Sequence, residues 1–98
     1  MASDRIPCCV PFCRRTADAE KFKGEEIICG KHWRLASATQ RRRQSRMARM
    51  YRRRFGRNGY WEYPAGSPDR LDAVKLARIL EKLWERCKRQ AIERAAGL

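Results

Sequence analysis

Four side chains in the first third of the chain fall into two close pairs. Cys8 and Cys13 are separated by four residues, Cys29 and His32 by two, and fifteen residues lie between the pairs. Close pairing lowers the loop entropy of gathering four ligands around one ion. A set of three cysteines and one histidine suits the tetrahedral, borderline-soft preference of zinc. Cys29 precedes a helical stretch and His32 falls in its first turn, where the positive helix end favours a thiolate. Cys9 leaves a choice open. It either replaces Cys8, giving a Cys9-x3-Cys13 pair, or stands beside the site as a spare thiol. The competing reading is a set of unliganded thiols in a small core.

A chain of 98 residues suffices for one domain, here residues 1–98, but at this size a single core is marginal. A metal staple is the expected support. The cysteine count is five, and an odd number does not complete a disulfide framework. The opening Met1-Ala2-Ser3-Asp4-Arg5 leads into Pro7 without the apolar stretch of a signal peptide. A cytoplasmic location with reduced thiols is therefore expected. No apolar run approaches the ~18 residues of a membrane span. Cys87 lies on an apolar helical face and reads as a small buried hydrophobe.

The expected fold is mainly α: a small, zinc-stabilised domain in which a loop-rich knuckle precedes two helices. Residues 6–35 form the knuckle, with Pro7, Pro11, Gly24 and Gly30 and little apolar content. A short hairpin is expected at Glu20–Phe22 and Glu26–Ile28. Residues 31–55 lack Pro and Gly and read as one long helix, with a break near Ser37-Ala38-Thr39 as a variant. Trp33, Ala36, Gln40, Met47, Tyr51 and Phe55 recur near one side, and Gly56 is the expected stop. Residues 56–67 are a turn-rich connector, with Tyr60–Tyr63 as a short extended piece. A second helix is expected over 68–96, with Ser67 as N-cap and Pro68 at the first position. Ala73, Leu76, Leu80, Leu83, Trp84, Cys87 and Ala91 form its apolar face.

The charge is unevenly placed. The net formal charge is +13, of which residues 1–30 contribute zero, residues 31–60 contribute +11 with no acid, and residues 61–98 contribute +2. Nine arginines crowd into residues 41–57: Arg41, Arg42, Arg43, Arg46, Arg49, Arg52, Arg53, Arg54 and Arg57. Arg42, Arg46, Arg49 and Arg53 share one side of the helix. Like charges at this density repel at i,i+4, and an anionic partner relieves them. Arginine suits bidentate phosphate contact and stacking. The expected partner is nucleic acid, DNA in preference to RNA. Gln40, Gln44, Ser45 and Asn58 read as helix or turn filler rather than base readers. Tyr60, Trp61 and Tyr63 read as packing of the connector rather than base-stacking groups.

The stretches Cys8-Cys9-Val10-Pro11-Phe12-Cys13 and Ile28-Cys29-Gly30-Lys31-His32-Trp33-Arg34 resemble a zinc knuckle of bacteriophage and prophage proteins. That pattern runs Cys-x-Val-Pro-Gly-Cys, a spacer, then Cys-x-x-His-Tyr/Trp-x-Arg, and it often precedes an HNH endonuclease domain. The resemblance covers about residues 7–35. It implies Cys8, Cys13, Cys29 and His32 as zinc ligands, with Cys9 at the variable second position. It also implies a phage-type nucleic-acid protein in a bacterial host cytoplasm. Phe12 stands where the pattern has glycine, and the HNH part has no counterpart here. An HNH nuclease needs a general-base histidine and further ligands for its catalytic metal. His32 is the only histidine and is committed to the knuckle. Four protein ligands also leave no open position for water. No enzymatic activity is expected. An alternative role is a phage-encoded inhibitor or accessory protein that binds a host nucleoprotein complex. A homodimer through residues 68–96 is a further option.

Overall fold

The computed structural model describes residues 4–22 and 25–97 of the chain. These residues are mainly helical, with one small antiparallel hairpin. Two compact units emerge: Met1–Ser37 with Cys87–Leu98, and Ala38–Arg86. No described helix is long and apolar enough to cross a membrane.

In the first unit, β1 (Arg5–Pro7) pairs antiparallel with β2 (Thr16–Asp18), in the register Arg5 to Asp18, Ile6 to Ala17 and Pro7 to Thr16. The guanidinium of Arg5 donates to both the hydroxyl and the carbonyl of Thr16, each at 3.1 Å. The hairpin expected at Glu20–Phe22 and Glu26–Ile28 is thus displaced toward the N-terminus. The Asp18 carboxylate accepts the Glu20 N–H at 2.9 Å, which turns the chain away from the sheet immediately after β2. Ile27 instead forms a single parallel bridge with Cys8, and the Cys9 N–H donates to its carbonyl at 2.9 Å. Gly24 lies outside the described residues.

The long helix expected over 31–55 is two helices. α1 spans Gly30–Trp33 and α2 spans Ala38–Phe55. Between them the backbone tightens through i to i+3 bonds, Leu35 N–H to His32 O and Ala36 N–H to Trp33 O. The break has side-chain causes. Arg94 donates to the Leu35 carbonyl at 2.6 Å, and the Ser37 N–H donates to Gln90 Oε1 at 2.8 Å. Those two backbone groups are diverted from a continuous helical ladder. Ala36, within this break, is buried.

The second unit holds α2, the connector and the first part of α3 (Pro68–Ala95). Gly56 ends α2 in the left-handed region at φ 61°, with its N–H on the Arg52 carbonyl at 2.8 Å. Tyr60–Glu62 forms a single 3-10 turn rather than the expected extended piece. Ser67 caps α3, its hydroxyl accepting the Arg70 N–H at 3.3 Å. Phe55, Ala73 and Leu83 are the buried core of this unit. The Tyr51 and Tyr63 rings flank Phe55, at 5.1 and 5.6 Å between centroids. Arg54 is ion-paired with Asp72. This pair is half exposed, so its contribution is small.

Candidate metal centre and basic face

The hairpin and α1 bring the two ligand pairs together. The ligand atoms of Cys8, Cys13, Cys29 and His32 all lie within 4.8 Å of one another, and none of these cysteines is in a disulfide. Sγ of Cys29 is 3.2 Å from Nδ1 of His32 and 3.9 Å from Sγ of Cys13, and Sγ of Cys8 is 3.8 Å from Nδ1 of His32. A tetrahedral ion with bonds of about 2.0–2.3 Å needs ligand atoms roughly 3.3–3.8 Å apart. These three separations are close to the edges of such a tetrahedron, and the four residues lie close enough together to coordinate a metal ion. Cys9 is outside the cluster, so the choice left open by the sequence falls on Cys8.

Each ligand is placed by local backbone chemistry. Cys8 directly follows β1, and its N–H donates to the Arg15 carbonyl at 2.9 Å. Its sulfur accepts the Cys29 N–H at 3.3 Å, a bond that ties the two pairs together before any ion is considered. Cys29 sits at the N-cap of α1, and His32 lies within that helix. Burial raises the thiol pKa of Cys8 above its ordinary value, against the backbone N–H bonds it accepts. At Cys29 burial also works against the thiolate, but the His32 backbone N–H and hydrogen bonds from the other thiols outweigh it. The Cys29 thiol is therefore held below its ordinary value, as suits a ligand that must lose its proton. Burial, together with the charges of Cys8 and Glu26, pushes Cys9 up to about 11, which keeps it an inert thiol.

Phe12 is the unusual residue of the knuckle. The Cys13 N–H donates to the Val10 carbonyl at 3.1 Å, closing a four-residue turn with Pro11 and Phe12 at its centre. Phe12 has φ 68°, the geometry of a type II turn, whose third position is normally glycine. Its ring is fully exposed and adds no packing. An L-residue in the left-handed region costs about 1–2 kcal/mol, partly offset by the flexibility glycine brings to the unfolded chain. Phe12→Gly is therefore expected to stabilise the metal-loaded protein by about 0.5–1 kcal/mol, while Phe12→Ala is expected to gain little. Thermal melting of the two variants side by side checks this; equal melting temperatures would contradict the strain.

The end of α3 belongs to the same unit as the knuckle. Cys87 and Ala91, four residues apart, are fully buried, and Lys88 pairs with Glu26 at 3.0 Å. The helical face of Cys87 marks it as a core residue, but nothing local indicates that it shares a unit with the knuckle. Small residues at i and i+4 were the one available hint of a close approach.

The arginines divide by helical position. At 3.6 residues per turn, Arg42, Arg46, Arg49 and Arg53 fall within about 60° of one another around α2. All four are exposed, as are Arg43, Arg52, Arg54 and Arg57. Arg41 is only half exposed, and Arg54 is engaged by Asp72 with its guanidinium over the Phe55 ring. Gln40, Gln44, Met47 and Tyr51 are half-buried on the opposite side, so Gln40 and Gln44 are not part of the exposed arginine face. The Asn58 amide lies 3.4 Å from the Tyr63 hydroxyl and donates to it. Trp61 is largely exposed rather than buried, whereas Tyr63 packs against Phe55. Comparisons with protein-family models, curated proteins and solved structures find no match for this chain.

Proposed function

We propose that this chain is a small zinc-binding, nucleic-acid-binding protein of the phage zinc-knuckle kind, with no catalytic role. Zinc is the ion this donor set favours: three soft thiolates and one imidazole suit its tetrahedral coordination. The site is saturated by protein ligands, so its part is to hold the knuckle together. The observation that carries the nucleic-acid reading is the exposed stripe of Arg42, Arg46, Arg49 and Arg53, within a stretch from 31 to 60 that has no acid. Such a face neutralises phosphates, with DNA the favoured partner.

With about five to eight arginines on phosphates of a duplex, log affinity is expected to fall with log salt at a slope of about −5 to −7. Fluorescence anisotropy of the metal-loaded protein against labelled duplex, over a salt series, reads the slope directly. A flat salt dependence, or no binding at low salt to the duplex or to a single strand of the same length, would reject the reading.

A further inference from the structure

Trp61 is the most exposed residue of its type that the fold could have hidden. Its side chain is 68% exposed, although tryptophan carries the largest apolar surface of any side chain and is normally well buried. The indole is nevertheless held in place. It lies against the backbone of Gly59, where a Cβ would sit 2.3 Å from the ring carbons Cη2 and Cζ2. The Tyr60 ring meets it edge-on at 5.2 Å and 77°. The turn beneath is closed by the Gly59 N–H on the Glu62 carboxylate at 2.8 Å and the Tyr63 N–H on the Tyr60 carbonyl at 3.2 Å. The Arg70 guanidinium lies 5.7 Å from the Tyr60 ring centre. Gly59 has φ −81°, an ordinary value, so glycine is needed here for the space the indole takes and not for backbone freedom.

A held, solvent-facing indole is suited to stacking. It belongs to the same compact unit as the arginine stripe, and exposed Arg57 precedes Gly59 by two residues. Proteins that bind single strands combine a cationic track for the backbone with aromatic faces for the bases. We infer that Trp61 is a stacking platform for an unpaired nucleobase, and that the ligand of this unit is a nucleic acid with a single-stranded stretch. This rests on the nucleic-acid reading above and narrows it. The charge of the unit selects a polyanion over an apolar protein partner. A continuous duplex keeps its bases stacked on one another and offers Trp61 nothing.

The test uses the full metal-loaded chain with labelled oligo-dT, oligo-rU and a duplex of equal length, at one salt concentration. Trp61→Ala is expected to weaken binding to the single strands by about 5- to 150-fold and leave the duplex unchanged. Gly59→Ala keeps the ring but fills the space it occupies. It is expected to reproduce the loss on single strands, and it serves as the readout should Trp61→Ala fail to fold. The ratio of oligo-dT to oligo-rU affinity identifies the sugar preferred. Unchanged single-strand binding in both variants, or equal losses on single strand and duplex, overturns the platform while the nucleic-acid reading stands. A wild-type chain that binds none of the three oligonucleotides removes that reading itself.

Discussion

On the zinc reading proposed above, stripping the ion from the purified protein with a chelator is expected to unfold the unit of Met1–Ser37 with Cys87–Leu98. Apparent binding energies at such sites are about 10–16 kcal/mol, as large as the whole stability of a typical domain. The apolar core available without the ion is small. Among the described residues its buried members in this unit are Cys8, Val10, Ile27, Ala36, Cys87 and Ala91. Only Val10 and Ile27 are branched aliphatics, each worth about 1.5–3 kcal/mol when buried. The two three-residue strands add few backbone bonds. In a two-dimensional amide spectrum, the resonances of residues 4–37 should collapse toward random-coil positions after chelation and return when zinc is restored. Cys8→Ser, Cys13→Ser and Cys29→Ser should each reproduce the collapse. Cys9→Ser should retain one zinc per chain, because its sulfur lies outside the ligand cluster. A chelated protein with an unchanged spectrum would refute a structural ion.

The sign of the pH dependence follows from the same competition. A zinc ion bound at this site would hold the thiols deprotonated, while the unfolded, metal-free chain would carry their protons at neutral pH. The unfolded state binds more protons, so stability rises with pH through the mildly acidic range and falls as the solution is acidified. Zinc release on acidification, followed with a chromogenic chelator, should coincide with loss of the amide dispersion.

How far the sequence disclosed this arrangement depended on the range of each interaction. The cluster that can coordinate a metal ion was legible because each pair is local: four residues separate Cys8 from Cys13, and two separate Cys29 from His32. α3 was legible because its caps and apolar period lie within the segment itself, from Ser67 to the face through Cys87 and Ala91. The hairpin was not, since three-residue strands carry no usable alternation. What positions it is a cross-strand clamp by Arg5 and an aspartate turn at Asp18. The break after α1 was suspected near Ser37, but its cause sits more than fifty residues away, at Gln90 and Arg94. Trp61 was misjudged for a related reason. Whether an aromatic in a connector is buried depends on the turn beneath it, and nothing in the local pattern marks Gly59 as room for an indole.

Replacing Arg42, Arg46, Arg49 and Arg53 together by glutamine is expected to move binding and stability in opposite directions. Each phosphate contact contributes about 0.9 to the salt slope on duplex DNA, so removing four should flatten the slope by roughly 3.6. Extrapolated from ~1 M to ~0.1 M salt, the same term amounts to about three and a half orders of magnitude in affinity. The fold has no stake in these four side chains, which are exposed. It should in fact gain. Arg42 with Arg46, Arg46 with Arg49, and Arg49 with Arg53 are like charges at i,i+3 or i,i+4, each destabilising by about 0.2–0.5 kcal/mol. Glutamine has a helix propensity close to that of arginine, so removing the repulsions should raise the stability of α2 by about 1 kcal/mol. Circular dichroism melting and anisotropy titration on the same preparation read both effects. A quadruple variant that melts no lower than the wild type and still binds with the full salt slope would take the contact face away from this stripe. A variant that loses binding while melting higher would identify the crowded arginines as charges retained at the expense of stability, as expected of a surface whose counter-charge comes from its ligand.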